Sequence, residues 1–272
     1  MLSLIGLCLA IWAFAIEPGR LVVVEQELEL PGWTAPPLRV AVLSDLHVGA
    51  PHVDLAFLNN VIARTNSLEP DLVLLAGDFL ITGVAGGEFI GPKPIAEALA
   101  RLSAPMGVYA VLGNHDWWFD GPKTAQALEN AGSSVLENES VVLNHKGGKV
   151  RLIGLGDHMT DHADPQLAYG EAPAVEGPTI VFTHSPDVFP ELAAMGLDAQ
   201  ELTIAIAGHT HGGQVWVPLL GTPVVPSQYG SRFVRGHIVE GDSHYFVTSG
   251  VGTSIVPARF AVPPEIVLLT LR

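Results

Sequence analysis

The stretch Leu38-Arg39-Val40-Ala41-Val42-Leu43-Ser44-Asp45-Leu46-His47 decides how this chain folds. Its apolar run suits a strand covered on both faces, and the run ends on an acid and a histidine two residues apart. The same grammar recurs. Leu72 to Ala76 leads into Gly77-Asp78, and Val108 to Leu112 into Gly113-Asn114-His115. Ile180 to Thr183 precedes His184, and Leu202 to Ala207 precedes Gly208-His209-Thr210-His211. Helical periodicity fills the gaps over His52 to Thr65 and Pro94 to Leu102. Asp120, ahead of Gly121-Pro122, reads as the N-cap of a helix that closes at Gly132. Ser185-Pro186 opens another helix, which ends at Gly196. An alternating strand precedes this region in Leu21 to Leu30, and the final third reads as strands at Arg235 to Glu240, His244 to Thr248 and Ile266 to Leu271. The chain is therefore α/β, with polar motifs at the strand ends where open α/β sheets form their active-site crevice.

Composition narrows the function. With 48% hydrophobic and 15% charged residues among 272, the chain has ample apolar surface for one sizeable domain, placed at 21–272. The formal net charge is −15 and the 13 basic residues are scattered, so nucleic acid is not an expected partner. The only cysteine, Cys8, excludes an intrachain disulfide and cysteine-ligated zinc or iron–sulfur clusters. Residues 1–20 form an apolar leader whose first sixteen residues carry no charge. At ~1.5 Å per residue a helix over them would be about 24 Å long, near the ~30 Å of a bilayer core. A signal anchor is the first reading. A cleaved signal peptide ending near Ala13-Phe14-Ala15, or a helix of the soluble domain, is the alternative.

Histidine, carboxylate and amide oxygen are ligands of a nitrogen and oxygen site for transition metals. Asp45 and His47, like His209 and His211, are two apart, so an extended backbone would send each pair to one side. Gly77, Gly113 and Gly208 precede motif residues and allow tight turns. Burying these polar groups without partners would cost roughly 1–3 kcal/mol each, which argues that their clustering serves ligation.

The ordered series D-x-H, G-D, G-N-H-[ED], H and G-H-x-H resembles the calcineurin-like metallophosphoesterase family, and every element is present from Asp45 to His211. Gly212-Gly213-Gln214, Pro263-Pro264-Glu265 and the apolar leader resemble its membrane-associated bacterial subfamily. The resemblance implies a four-layer α-β-β-α sandwich with an N-terminal apolar helix. It implies one metal held by Asp45, His47, Asp78 and His211 and a second by Asp78, Asn114, His184 and His209, with Asp78 bridging. The ions would be manganese, zinc or iron. Two such ions stabilise an in-line displacement at phosphorus and activate water, so no serine or cysteine nucleophile is needed. His115 would stand beside the metals and protonate the leaving oxygen. Where some members orient this histidine with an aspartate, this chain has Ile81, and Asp116 or another group would substitute.

The implied activity is hydrolysis of phosphodiester or pyrophosphate bonds in a membrane-linked substrate, with UDP-2,3-diacylglucosamine of lipid A biosynthesis as one possibility. The protein would be a monomer at the bacterial inner membrane. A nuclease or cyclic-nucleotide phosphodiesterase is the alternative enzyme, and a catalytically silent metal-binding membrane scaffold the alternative of another class.

Three further groups carry two readings each. Trp117-Trp118-Phe119 either packs at the start of a helix or lines a substrate or acyl-chain pocket. His158, Asp161 and His162 read as a solvated loop in preference to a third metal site. Arg232, Arg235 and Arg259 are candidate phosphate contacts, with surface ion pairs or solvation as the default.

Overall fold

The computed structural model describes residues 2–83 and 86–272. An apolar helix α1 (Leu2–Ile11) runs through a π turn (Trp12–Ile16) and a 3-10 turn (Glu17–Gly19) into β1 (Val22–Leu28) and β2 (Leu38–Leu43). There follow α2 (Leu55–Ser67), β3 (Leu72–Ala76), α3 (Pro92–Leu99), β4 (Val108–Val111), α4 (Asn114–Asn130) and β5 (Ser134–Val135). The chain continues with β6 (Glu139–His145), β7 (Gly148–Gly154), α5 (Pro165–Gly170), β8 (Thr179–Phe182), α6 (Phe189–Ala194) and β9 (Ile204–Ala207). It closes with β10 (Gly236–Glu240), β11 (Ser243–Val247) and β12 (Glu265–Leu271).

The strands form two six-stranded mixed sheets, ordered β1-β12-β2-β3-β4-β5 and β10-β11-β9-β8-β7-β6. β2 to β5 are mutually parallel in the first sheet, as are β7, β8, β9 and β11 in the second. Alternate residues explain the continuous apolar runs. Val40, Val42, Leu72 and Leu74 face Leu152, Ile180, Phe182 and Ile206 in a core between the sheets. Ala41, Leu43, Val73 and Leu75 point the other way, beneath Leu58, Val61, Ile62, Ile95 and Leu128 of α2, α3 and α4. On the far side Ile153, Val181 and Ala205 lie under Ala168, Phe189 and Leu192. Helices thus cover the outer face of each sheet. All five motif-bearing strands, β2, β3, β4, β8 and β9, end at the same rim.

The expected helix ends are present at two sites: Asp120 Oδ1 accepts from Lys123 N, and Ser185 Oγ accepts from Asp187 N. α4 starts earlier than its sequence signals, however. Gly113 is its N-cap and Asp120 is a non-helical kink within it, so Asn114, His115 and Asp116 occupy a first turn of their own. The hairpin β6–β7 was not legible either, because polar Asn144, Lys146, Lys149 and Arg151 interrupt its apolar positions at the edge of the sheet.

Among the described residues no helix is long and apolar enough to cross a membrane. The leader lies fastened to the domain by its end: Arg259 N donates to Ala13 O at 2.9 Å, and buried Glu17 accepts from Trp12 Nε1 at 2.6 Å and Ala261 N at 2.9 Å. Most of its apolar side chains, Leu4, Ile5, Leu7, Leu9, Ile11, Phe14 and Ile16 among them, are exposed.

Glu137, just beyond β5, accepts from Leu112 N at 2.7 Å and so ties that loop to the end of β4. Burial pushes its carboxyl up to about 8 from 4.5. As pH rises through this window the unfolded side chain loses its proton first, so the folded state binds more protons and stability falls. Glu137→Gln keeps the acceptor and removes the titration. We expect its thermal midpoint to gain several °C on wild type between pH 5 and pH 9 in parallel melts; a constant difference would show that Glu137 contributes nothing to the alkaline slope.

Candidate metal centre

The turns that carry the candidate ligands owe their shape to backbone that most residues avoid. Asp45, His47, Asp78, His209 and His211 all have φ between 44° and 66°, in the left-handed region. The pairs at 45/47 and 209/211 therefore converge through left-handed turns and not through the extended backbone that their spacing predicts. Gly77 does have a positive φ of 83°. Gly113 and Gly208 serve close approach instead: a Cβ on Gly113 would lie 2.5 Å from Asp78 N, and one on Gly208 would overlap Ser44 Oγ and stand 2.6 Å from Asp45 Oδ2.

Hydrogen bonds lock the turns at this rim, first within the first sheet and then between the two sheets. Asp45 N donates to Gly77 O at 3.0 Å and His47 N to Asp78 O at 2.9 Å. His209 N, from the second sheet, donates to Asp45 Oδ2 at 3.0 Å. His184 Nδ1 crosses the other way to Ala76 O at 2.8 Å, which fixes the tautomer and leaves Nε2 facing inward.

What faces that Nε2 is a set of electron-pair donors: Asn114 Oδ1 at 3.2 Å, His209 Nδ1 at 3.1 Å and Asp78 Oδ2 at 3.3 Å. A proton there satisfies one of them, whereas a cation is a common partner for all. A second group lies alongside, with His47 Nε2 3.1 Å from His211 Nε2 and 3.4 Å from Asp78 Oδ2, and His211 Nε2 3.3 Å from Asp45 Oδ1. Ligands about 2.1 Å from a transition ion and at right angles are about 3 Å apart, so both groups fit a metal. Asp78 Oδ2 belongs to both. All seven residues are buried.

Three of the four imidazoles are held neutral, the form that a metal ligand needs. Burial drives His47 down to about 3, and burial with Arg259 holds His211 well below its usual value; His209 is lowered by burial and His184. Burial also opposes charge on His184, but Asp78 outweighs it and raises the imidazole. In turn His184 overrides burial at Asp78 and keeps that carboxylate well below its normal range.

His115 is half-buried and packs edge-on between His47 (4.8 Å) and Trp118 (4.9 Å). Its backbone N–H donates to Asp78 Oδ1 at 2.9 Å, and its ring lies within ligand distance of His47 and Asp78. Asp116 does not orient it. That carboxylate accepts from Asp78 N, Phe79 N and Gly113 N at 2.9–3.0 Å, bracing the two ligand turns against each other. Burial and the neighbouring Asp78 push Asp116 up to about 8 against these amide bonds.

The remaining candidates separate cleanly. Trp118 is exposed and lines the site's pocket, while Trp117 stacks on His162 and Phe119 packs against Phe89. His158, Asp161 and His162 form no metal-ligand cluster among the described residues. Arg232 makes a surface ion pair with Glu240. Arg259 departs from the surface reading: it is fully buried and its guanidinium donates to the carbonyls of Ser249, Gly250, Gly252 and Val262. It thereby holds the 249–262 loop behind Asp45, where Gly252 N donates to Asp45 O at 2.6 Å. Sequence reasoning missed this role because an arginine between Ala258 and Phe260 carries no pattern for it. Gln214, in the glycine-rich motif, clasps the same loop through Ser254 N, Ser254 O and Val256 O.

The calcineurin-like phosphoesterase family model matches residues 38–213, which spans β2 through the last histidine motif. The chain belongs to the calcineurin-like phosphoesterases. This phosphoesterase is 30% identical over 260 residues to phosphodiesterase YaeI of Escherichia coli (strain K12), covering 94% of this chain and 90% of that one. It is 26% identical over 317 residues to UDP-2,3-diacylglucosamine pyrophosphatase LpxG of Chlamydia trachomatis serovar D, covering 95% and 92%. To the uncharacterized metallophosphoesterase YkuE of Bacillus subtilis (strain 168) it is 29% identical over 236 residues, covering 86% and 79%. Metal-dependent hydrolysis of phosphoesters is accordingly its class of reaction.

A methyl group at Gly208 must displace Ser44 or Asp45. We expect Gly208→Ala to retain at least one manganese equivalent fewer than wild type in equilibrium dialysis; equal stoichiometry would show that the turn has slack the packing does not reveal.

Proposed function

We propose that this phosphoesterase uses two transition-metal ions (manganese, zinc or iron) to hydrolyse phosphodiester or pyrophosphate bonds of a membrane-linked substrate. Asp45, His47, Asp78 and His211 hold one ion; Asp78, Asn114, His184 and His209 hold the other. The observation that carries this reading is the convergence of buried donor atoms 3.1–3.4 Å apart with Asp78 common to both groups. When bound, paired cations neutralise charge at both ends of a displacement at phosphorus and lower the pKa of water.

The chain's own residues supply the rest. Asp78, Asn114, His209 and His211 line the pocket, and His115, which lines it beside Asp78, stands where a leaving oxygen needs a proton. Its packing between His47 and Trp118 sets the ring plane without a carboxylate partner. Residues 1–20 form the leader and 21–272 the phosphoesterase domain, acting as a monomer at a bacterial inner membrane. UDP-2,3-diacylglucosamine is the specific substrate we favour, supported by the likeness to LpxG and by the apolar pocket of about 530 Å³ that opens beside the ligands. A nuclease is disfavoured by the net charge of −15. A silent scaffold is disfavoured by a ligand set that lacks no member.

Purified protein with manganese should hydrolyse bis(4-nitrophenyl) phosphate, and Asp78→Asn should lower kcat/KM at least ~100-fold. His115→Ala should lower kcat ~100-fold or more while leaving the metal content at wild-type level. Loss of metal in that variant would make His115 a ligand and not the proton donor. A wild type that binds two metals yet turns over no phosphoester would favour the scaffold.

A further inference from the structure

The hairpin that carries Val217 opposite Gly221 is built against the usual chemistry of turns. At its tip Leu219 has a φ of 70°, and both it (104%) and Leu220 (77%) point into solvent. A leucine in left-handed backbone at a fully exposed tip costs strain and apolar exposure without returning any packing. Nearby in the same wall, Ile255 (83%) and Val224 (73%) are exposed on the pocket side.

These residues are continuous with the leader. Phe260 N donates to Gln214 O and Trp216 N to Phe260 O, so the 258–261 segment is the strand-like neighbour of the hairpin base. On its other side Arg259 N and Ala261 N bond Ala13 O and Glu17. Leader and hairpin thus flank one short segment, and that segment borders the pocket through Ala258.

We infer that this combined surface seats the pocket mouth on a lipid bilayer, so that the site draws a phosphoester with a hydrocarbon tail directly from the membrane. This rests on the reading of the site as a membrane-substrate hydrolase and assigns the device that delivers the substrate. Two observations favour lipid over a protein partner. The leader exposes apolar side chains all round, where a docking groove would cover only one stripe. In a chain of net charge −15 there is no Asp, Glu, Lys or Arg in residues 1–16, from Gly213 to Ser231, or in the exposed stretch from Ser254 to Pro257, so these segments offer no charges with which to steer and register a protein partner. Arg20 lies over Trp12 at 5.3 Å where the leader meets the domain, a pairing suited to the lipid–water boundary. Docking on this surface is apolar, so it takes zwitterionic lipid and depends little on salt.

The test uses the full chain with phosphatidylcholine vesicles and amide hydrogen exchange read by mass spectrometry. Exchange should slow in residues 217–221 and 254–257 together with the leader. Leu219→Ser/Leu220→Ser should abolish the slowing at 217–221. It should also raise at least ~10-fold the vesicle concentration giving half-maximal hydrolysis of a dialkylglycerol 4-nitrophenyl phosphodiester embedded in them. Both leucines are solvent-exposed, so the thermal midpoint should not move, and Val239→Ser, exposed on β10, serves as the control that changes neither readout. Slowing confined to the leader, slowing without vesicles at high protein concentration, or an unchanged vesicle dependence in the double variant would each overturn the proposal. Failure to hydrolyse dissolved bis(4-nitrophenyl) phosphate would instead strike the hydrolase reading.

Discussion

Within each of two adjoining groups, electron-pair donors stand 3.1–3.4 Å apart, where lone pairs repel unless a proton or a cation lies between them, and the rest of the molecule is arranged to keep them there. Ring nitrogens of His47, His184, His209 and His211 meet oxygens of Asp45, Asp78 and Asn114 in a buried volume. Packing alone offers no reason for such a collection, because each unpartnered polar atom weakens the fold. The family to which the chain belongs supplies the reason.

Holding repelling groups together requires a rigid frame. The frame is the pair of parallel strand sets whose ends meet at one rim, locked by bonds that cross between the sheets at His184 to Ala76 and His209 to Asp45. Asp116 braces the Asp78 and Gly113 turns through three amides, and Arg259 braces the loop behind Asp45 through four carbonyls. Left-handed backbone at five of the seven proposed ligands shows how far the chain is bent to this end. Strain of this kind persists only where the surroundings over-determine it.

Much of this was legible in the sequence, for a physical reason. A strand buried on both faces leaves an unbroken apolar run, and a polar residue at its end has few purposes besides the site, so the strands and the converging residues declared themselves together. What stayed hidden depends on tertiary contact. Nothing in the spacing of Asp45 and His47 distinguishes a left-handed turn from an extended pair. Asp116 sits in the motif next to His115, which invites a role there, yet its carboxylate turns toward amides 37 and 38 residues away. Arg259 and the Leu219–Leu220 tip carry no periodicity at all, and only their burial or exposure gives them meaning.

The central claim is that two cations share Asp78 at the meeting of the sheets. Anomalous diffraction from crystals grown with manganese tests it most directly. The account predicts two anomalous peaks ~3.5–4 Å apart, one bordered by Asp45, His47 and His211 and the other by Asn114, His184 and His209, with the Asp78 carboxylate between them. A single peak, or two peaks of which only one touches Asp78, would contradict it.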